Sequence, residues 1–206
     1  GSGNVFSINN ALSYIGVGSE VISSKVDMDQ FDQFIIPGVG AFAACMQSLE
    51  NTGFASEICY QANAGKKILG ICVGMQILFN RGFEFGCHKG VGLFNGDVVG
   101  LPELDDHGFP LLKPHIGWAK LYATNDSRDP SQRVPLFDEL DASCEYYFAH
   151  SYMAVPREKD VCLAQAKYNG INLIAAVGRN NVIGVQFHPE KSGDAGLQFL
   201  RQWAWI

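Results

Sequence analysis

Apolar residues recur along this chain with two periods, and the alternation between them maps its elements. Val5, Ile8, Leu12 and Ile15 share one helical face, closed by Gly16 and Gly18. A short strand is expected over Glu20 to Ser24, and a stronger one over Phe31 to Ile36, ending abruptly at Pro37-Gly38-Val39-Gly40. Helical spacing resumes at Phe42, Cys45, Met46 and Leu49, breaks at Gly53, and continues from Phe54 through Ile58 to Ala62. Ile68, Leu69 and Ile71 form a short apolar run that reads as a buried strand, meeting Cys72 and then a run able to continue as a helix.

The second half has a different texture. Glycine is frequent from Phe83 to Gly96, a loop with short strands, and Leu101 to Pro114 is an irregular connection holding three prolines. Ile116 to Tyr122 and Tyr146 to Tyr152 read as extended, separated by the polar stretch Asn125 to Arg133. Val161 to Tyr168, Leu173 to Val177 and Val182 to Phe187 are strands joined at Asn169-Gly170 and Asn180-Asn181, both hairpin-type turns. Gly196 to Trp205 forms a closing helix with Leu197, Leu200 and Trp203 or Ala204 inward. The expected class is α/β: a mixed, mostly parallel sheet flanked by helices, with an antiparallel extension. Residues 1–206 read as one domain. A glycine-rich lead into a helix normally follows a strand, so Gly1-Ser2-Gly3 is read as native with that first strand absent from the chain; a cloning remnant is the alternative.

Composition narrows the function classes. With 206 residues at 47% hydrophobic content, the chain is long enough for a sizeable core. A net charge of −6 without a Lys/Arg cluster argues against a nucleic-acid role. Six cysteines form no C-x-x-C pair, which points to a reduced, cytoplasmic setting and gives no metal framework. No apolar run approaches the ~20 residues of a membrane span.

Two stretches carry candidate chemistry. In Gly70-Ile71-Cys72-Val73-Gly74 the cysteine stands between glycines two positions to either side, the cysteine version of the strand–turn–helix nucleophile elbow. A thiol at a helix N-terminus meets unpaired N–H groups and the positive end of the dipole, which favours thiolate. In Gly184-Val185-Gln186-Phe187-His188-Pro189-Glu190 a strand delivers His188 to its end. Proline keeps the residue before it out of the α region, so His188 and Glu190 are expected near-extended, side chains to one side. A carboxylate can then orient one imidazole nitrogen while the other faces a nucleophile. Pro37-Gly38-Val39-Gly40 follows a strand and precedes a helix, with glycines that free the backbone to aim N–H groups as an oxyanion hole requires.

These motifs, with Pro37-Gly38-Val39-Gly40-Ala41-Phe42, Pro114-His115-Ile116-Gly117-Trp118 and Tyr147-Phe148-Ala149-His150-Ser151-Tyr152, resemble the class I glutamine amidotransferases. Together they resemble, within that family, the HisH-type glutaminase subunits of imidazole glycerol phosphate synthase. The resemblance runs in order over essentially the whole chain. It implies a Cys72–His188–Glu190 triad, an oxyanion hole from Val39, Gly40 and Val73, and glutamine held by Gly38, Gln76 and backbone at His150, Ser151 and Tyr152. It further implies a HisF-type cyclase partner in a heterodimer, met by Asn4, Trp118, Tyr147 and Lys191, and no cofactor. In the family a peptide flip at the Val39 position keeps the lone subunit nearly silent. The competing readings are another class I amidotransferase subunit, a γ-glutamyl hydrolase, or an inactive binding module on the same fold.

Overall fold

The computed structural model describes residues 2–38, 40–124, 135–137 and 143–205. Helix α1 (Ser2–Tyr14) is followed by a 3-10 turn (Lys25–Gln30), strand β1 (Gln33–Gly38), helices α2 (Phe42–Thr52) and α3 (Phe54–Asn63), and strand β2 (Lys67–Cys72). A single turn, α4 (Val73–Gln76), leads to β3 (Phe79–Gly82), β4 (His88–Lys89) and β5 (Phe94–Gly100). Then come β6 (His115–Ala123), β7 (Glu145–His150), β8 (Tyr152–Pro156), β9 (Cys162–Tyr168), β10 (Ile171–Arg179), β11 (Val182–Val185) and α5 (Gly193–Trp205).

The main sheet has the order β1-β2-β11-β10-β9-β6-β7, and β4-β3-β5-β8 form a second, smaller sheet. The mixed α/β class stands, but the balance within the main sheet differs from expectation. Only β1–β2 and β2–β11 pair in parallel, while β11–β10, β10–β9, β9–β6 and β6–β7 are antiparallel. Tight turns account for this. Asn169 (φ 46°), Gly170 (φ 82°) and Asn180 (φ 55°) take the left-handed conformations that hairpin turns need, so β9, β10 and β11 fold back on one another without crossover helices. Phe148, Phe187, Phe199 and Leu200 join the sheet's aliphatic residues in one large core cluster.

Several local expectations are corrected. Residues 20–23 form no strand; Ser24 instead caps the 3-10 turn, accepting from the Val26 N–H. A strand needs a partner edge, and these residues line an apolar cavity of about 1020 Å³ beside β1 rather than pairing with it. None of Cys72, His188 and Glu190 lines that cavity. The helix after Cys72 stops after one turn because Leu78 and Phe79, both wholly buried, enter the core and Phe79 opens the smaller sheet. In α5 the inward residues are Gly196, Phe199, Leu200 and Trp203, with Leu197 half-buried. The polar stretch 125–133 lies outside the described residues. Among the described residues no helix is long and apolar enough to cross a membrane.

Candidate active site

Strand β2 lies at the centre of the parallel part of the sheet and ends at Cys72, whose backbone takes φ 56° and ψ −113°. Such a conformation is costly for a residue with a Cβ and persists only where the surroundings enforce it. The enforcement comes from close approach. A Cβ on Gly74 would stand 1.9 Å from the Ile36 carbonyl oxygen, and one on Gly70 2.6 Å from the Gly74 oxygen. Bare glycine at both positions lets strand and turn cross, so the thiol is carried to the sheet's end, as the spacing predicts. Gly38, at the end of β1, is pressed onto the same turn: its Cβ would meet the Gly74 nitrogen at 2.1 Å.

Cys72 is 5% exposed, and its sulfur adjoins the His188 side chain, acting on the imidazole through hydrogen bonding and charge. On the far side of the ring, His188 Nδ1 lies 2.8 Å from Glu190 Oε1, and the Glu190 side chain is fully buried. The order sulfur, imidazole, carboxylate therefore holds, although its local geometry differs from expectation. His188 is extended (φ −102°, ψ 94°), whereas Pro189–Lys191 is a 3-10 turn. Proline at the first helical position, with the Lys191 N–H donating to the His188 carbonyl at 3.0 Å, winds the chain so that Glu190 curls back under the ring. Ser192 locks the turn: its hydroxyl donates to the His188 carbonyl at 2.6 Å and accepts from the Tyr147 N–H at 3.0 Å.

Burial alone would push the His188 imidazole toward its neutral form. Its hydrogen bonds to the Cys72 sulfur and to Glu190, and the charges of both, outweigh burial and hold it up at about 9. The one-turn helix changes the electrostatic account. A macrodipole is the sum of many aligned peptides, so a four-residue turn offers the sulfur little of it. What surrounds the sulfur instead is His188, the Gln186 carboxamide with Nε2 at 3.6 Å, and the Ala149 carbonyl at 3.9 Å.

The end of β7 and the start of β8 form the wall opposite. His150 Nδ1 is 2.9 Å from the Tyr152 carbonyl, and His115 Nδ1 is 3.1 Å from His150 Nε2. Because a carbonyl can only accept, His150 carries its proton on Nδ1; a neutral ring then offers Nε2 as acceptor and His115 donates. Burial pushes both imidazoles down to about 4, and for His150 the positive charges of His115 and His188 add to it. Gln76 Nε2 donates to the same Tyr152 carbonyl at 3.1 Å and to Gln186 Oε1 at 3.0 Å.

The remaining expected residues fall out unevenly. Val73 opens α4 directly after the sulfur, 8% exposed, and Gly40 is exposed with φ 92°, while Val39 lies outside the described residues. Ser151 and Tyr152 are half-buried at the β7–β8 corner, but the side chains of His150 and Gln76 are already engaged within the protein. Trp118 is 52% exposed and meets Tyr147 edge to face at 5.8 Å, with the Lys191 ammonium 5.9 Å over the Tyr147 ring. These three form one aromatic and cationic rim next to the triad turn. Asn4 does not join their exposed surface: it is 6% exposed, and no hydrogen bond is made by its carboxamide. Its place on the first turn of α1, which packs against the Pro189–Lys191 turn, turns it inward.

Two site residues escaped the sequence reading. His115 stood there only as part of a motif, and Gln186 only as a letter between valine and phenylalanine. A signal was present in both cases: His115 is a polar residue at an interior position of β6, and Gln186 is the one polar residue in the apolar run from Val182 to Phe187.

The glutamine amidotransferase class-I family model matches residues 1–205. Among similar sequences is the imidazole glycerol phosphate synthase subunit HisH of Syntrophotalea carbinolica, 38% identical over 98% of this chain and 94% of its own length. The HisH subunit of Geobacillus thermodenitrificans is 39% identical over 100% of this chain and 92% of its own. Among solved structures, a glutamine amidotransferase superposes with a TM-score of 0.71 at 17% identity over 97% of this chain and 93% of that one. PurLQS from Thermotoga maritima gives 0.71 at 21% identity over 96% and 90%. At those identities the structural likeness concerns the fold.

Proposed function

This chain belongs to the class-I glutamine amidotransferases and, within them, to the HisH family, and from that premise we propose that it acts as one glutaminase domain. In this reading it releases ammonia from glutamine at Cys72 and passes it to a cyclase subunit that makes imidazole glycerol phosphate in histidine biosynthesis. The observation that carries the proposal is the continuous contact from the Cys72 sulfur through His188 to the buried Glu190.

The chemistry follows from that order. The proton of the Cys72–His188 pair rests on the imidazole, which stays protonated up to about 9, and the sulfur attacks the side-chain carboxamide carbon of glutamine. The tetrahedral oxyanion forms beside the Val73 end of α4, where a backbone donor already in place is worth most because it needs no reorganisation. His188 then protonates the nitrogen, the C–N bond breaks, and ammonia leaves a γ-glutamyl thioester. Water, deprotonated by His188, attacks the thioester; glutamate departs and the thiol is restored. Glu190 holds the ring with Nδ1 protonated and steadies the imidazolium between steps. Backbone at Ser151 and Tyr152 supports the amino-acid end of glutamine, with Gln76 bracing that corner from behind.

The partner reading takes the HisF-type cyclase as the second subunit, received on the rim of Trp118, Tyr147 and Lys191, with Asn4 behind it. Exposure of a tryptophan at 52% beside a stacked cation supports an interface, because large aromatics otherwise bury. A cytoplasmic site of action agrees with six cysteines that form no disulfide among the described residues.

The test is covalent labelling with a diazoketone analogue of glutamine, read by peptide mass. Labelling at Cys72, abolished in Cys72→Ala, together with ammonia release, is the expected result. Failure to label even with a cyclase subunit present favours the inactive binding module. Labelling without transfer of ammonia to a cyclase and its nucleotide substrate favours a γ-glutamyl hydrolase or another amidotransferase.

A further inference from the structure

Gln186 is wholly buried, one residue beyond β11 and two before His188, in a run that is otherwise apolar up to the histidine. Burying a carboxamide is costly unless both its ends are satisfied, and a leucine or methionine would fill the space without that cost. Both ends are used here. Its oxygen accepts from Gln76 Nε2 at 3.0 Å and its nitrogen points at the Cys72 sulfur at 3.6 Å.

We propose that Gln186 is a catalytic residue whose Nε2–H donates to the Cys72 sulfur and stabilises the thiolate that attacks glutamine. This rests on Cys72 being the nucleophile. The orientation of the amide is fixed by a chain of groups with a defined end. The Tyr152 carbonyl only accepts, so the Gln76 end facing it is the NH2; the two hydrogens of that NH2 serve Tyr152 and Gln186. Gln186 therefore presents its oxygen to Gln76 and only its NH2 to the sulfur. His150 Nδ1 holds the same Tyr152 carbonyl at 2.9 Å, and His115 holds His150 at 3.1 Å, so the anchor is braced on both sides.

A donor so placed acts on one protonation state. When the sulfur's proton passes to His188, the electron pair left behind gains a hydrogen bond from Gln186; the thiol form, already donating elsewhere, gains far less. Two donors, His188 and Gln186, then approach the sulfur from the segment just beyond β11, while α4 contributes only a single turn. As the thioester forms, the sulfur loses its charge and the Gln186 contact weakens, so the amide favours attack without holding the product.

The experiment is the pH profile of Cys72 alkylation by iodoacetamide, followed at the Cys72 peptide by mass, in the wild-type chain, Gln186→Met and Gln76→Met. In Q186M the midpoint moves upward by about one pH unit or more, the scale of one hydrogen bond to a charged group. Q76M, which frees the Gln186 amide to turn, moves it the same way by less. Simple loosening of the core would change rates at every pH without moving the midpoint. A Q186M midpoint within about 0.3 units of wild type overturns the role of Gln186; if Q186M does not fold, an unmoved Q76M midpoint does so. Absence of labelling of the wild-type chain by the diazoketone analogue sinks the nucleophile reading itself, whereas normal labelling with unmoved midpoints sinks only the Gln186 role.

Discussion

The buried histidine pair behind the active site should make the protein acid-sensitive in a calculable way. His115 and His150 are 3% and 5% exposed, and burial sets both imidazoles at about 4. In the unfolded chain each takes up a proton near the ordinary histidine value of about 6.5. Between those values the unfolded state binds protons that the folded state refuses, so stability falls as pH falls from 6.5 toward 4. Integrating over pH 6.5 to 5 gives about 1.6 kcal/mol per histidine, or about 3 kcal/mol for the pair. His188 opposes this loss: folded, it stays protonated up to about 9, while the unfolded chain completes its uptake only below 6.5, which offsets about 0.4 kcal/mol between pH 6.5 and 5; its own contribution is fully present below 6.5 and lost as pH rises through 9. The perturbation is His115→Asn, which keeps a donor at the Nδ1 position for His150 but cannot titrate. Asparagine also loses the stacks of the His115 ring on Phe148 (5.0 Å) and Tyr168 (4.1 Å), so absolute stability drops at every pH. The slope is the discriminating quantity. Urea unfolding at half-unit steps from pH 6.5 to 5, above the main carboxylate range, should give the variant somewhat less than half the wild-type loss, because the opposing His188 contribution is common to both proteins. Equal losses in the two proteins, or a wild-type curve flat across the window, would refute the neutral buried pair.

Other expectations follow from the same geometry. Cys72→Ala should abolish ammonia release while leaving the far-UV circular dichroism unchanged, and substantial residual turnover would mean the nucleophile lies elsewhere. By removing a sulfur partner it should also lower the His188 titration from about 9, observable as the ring proton shift by NMR. His188→Ala should be nearly as damaging to turnover as loss of the cysteine, and Glu190→Gln less so, since Glu190 orients the ring rather than transferring a proton; equal effects in a steady-state ammonia assay would contradict that division. Gly74→Ala must displace the Ile36 carbonyl from a 1.9 Å contact and should destabilise folding by about 3 kcal/mol or more, measured by urea midpoint.

The elbow was legible in the sequence because its cause is local. Gly70 and Gly74 are needed at fixed distances from Cys72, and steric contact between adjacent turns enforces that spacing in any chain that makes the turn. The helix of residues 2–14 and the hairpin turns at Asn169-Gly170 and Asn180 were readable for the same reason: periodicity and left-handed backbone are properties of neighbours in sequence. The family membership likewise followed from the order of such motifs along the chain.

Tertiary structure decided what depended on groups distant in sequence. The balance of the sheet toward antiparallel pairing, the failure of residues 20–23 to become a strand, and the termination of α4 after one turn all turn on which partner edge or core space each segment meets. Asn4 is inside rather than on the rim because α1 packs against the turn that holds Glu190. Gln186 reaches a sulfur 114 positions earlier, and its amide is oriented by a carbonyl on a third strand. Short-range sterics write themselves into residue spacing, whereas a hydrogen bond between distant segments exists only once the chain has closed around it.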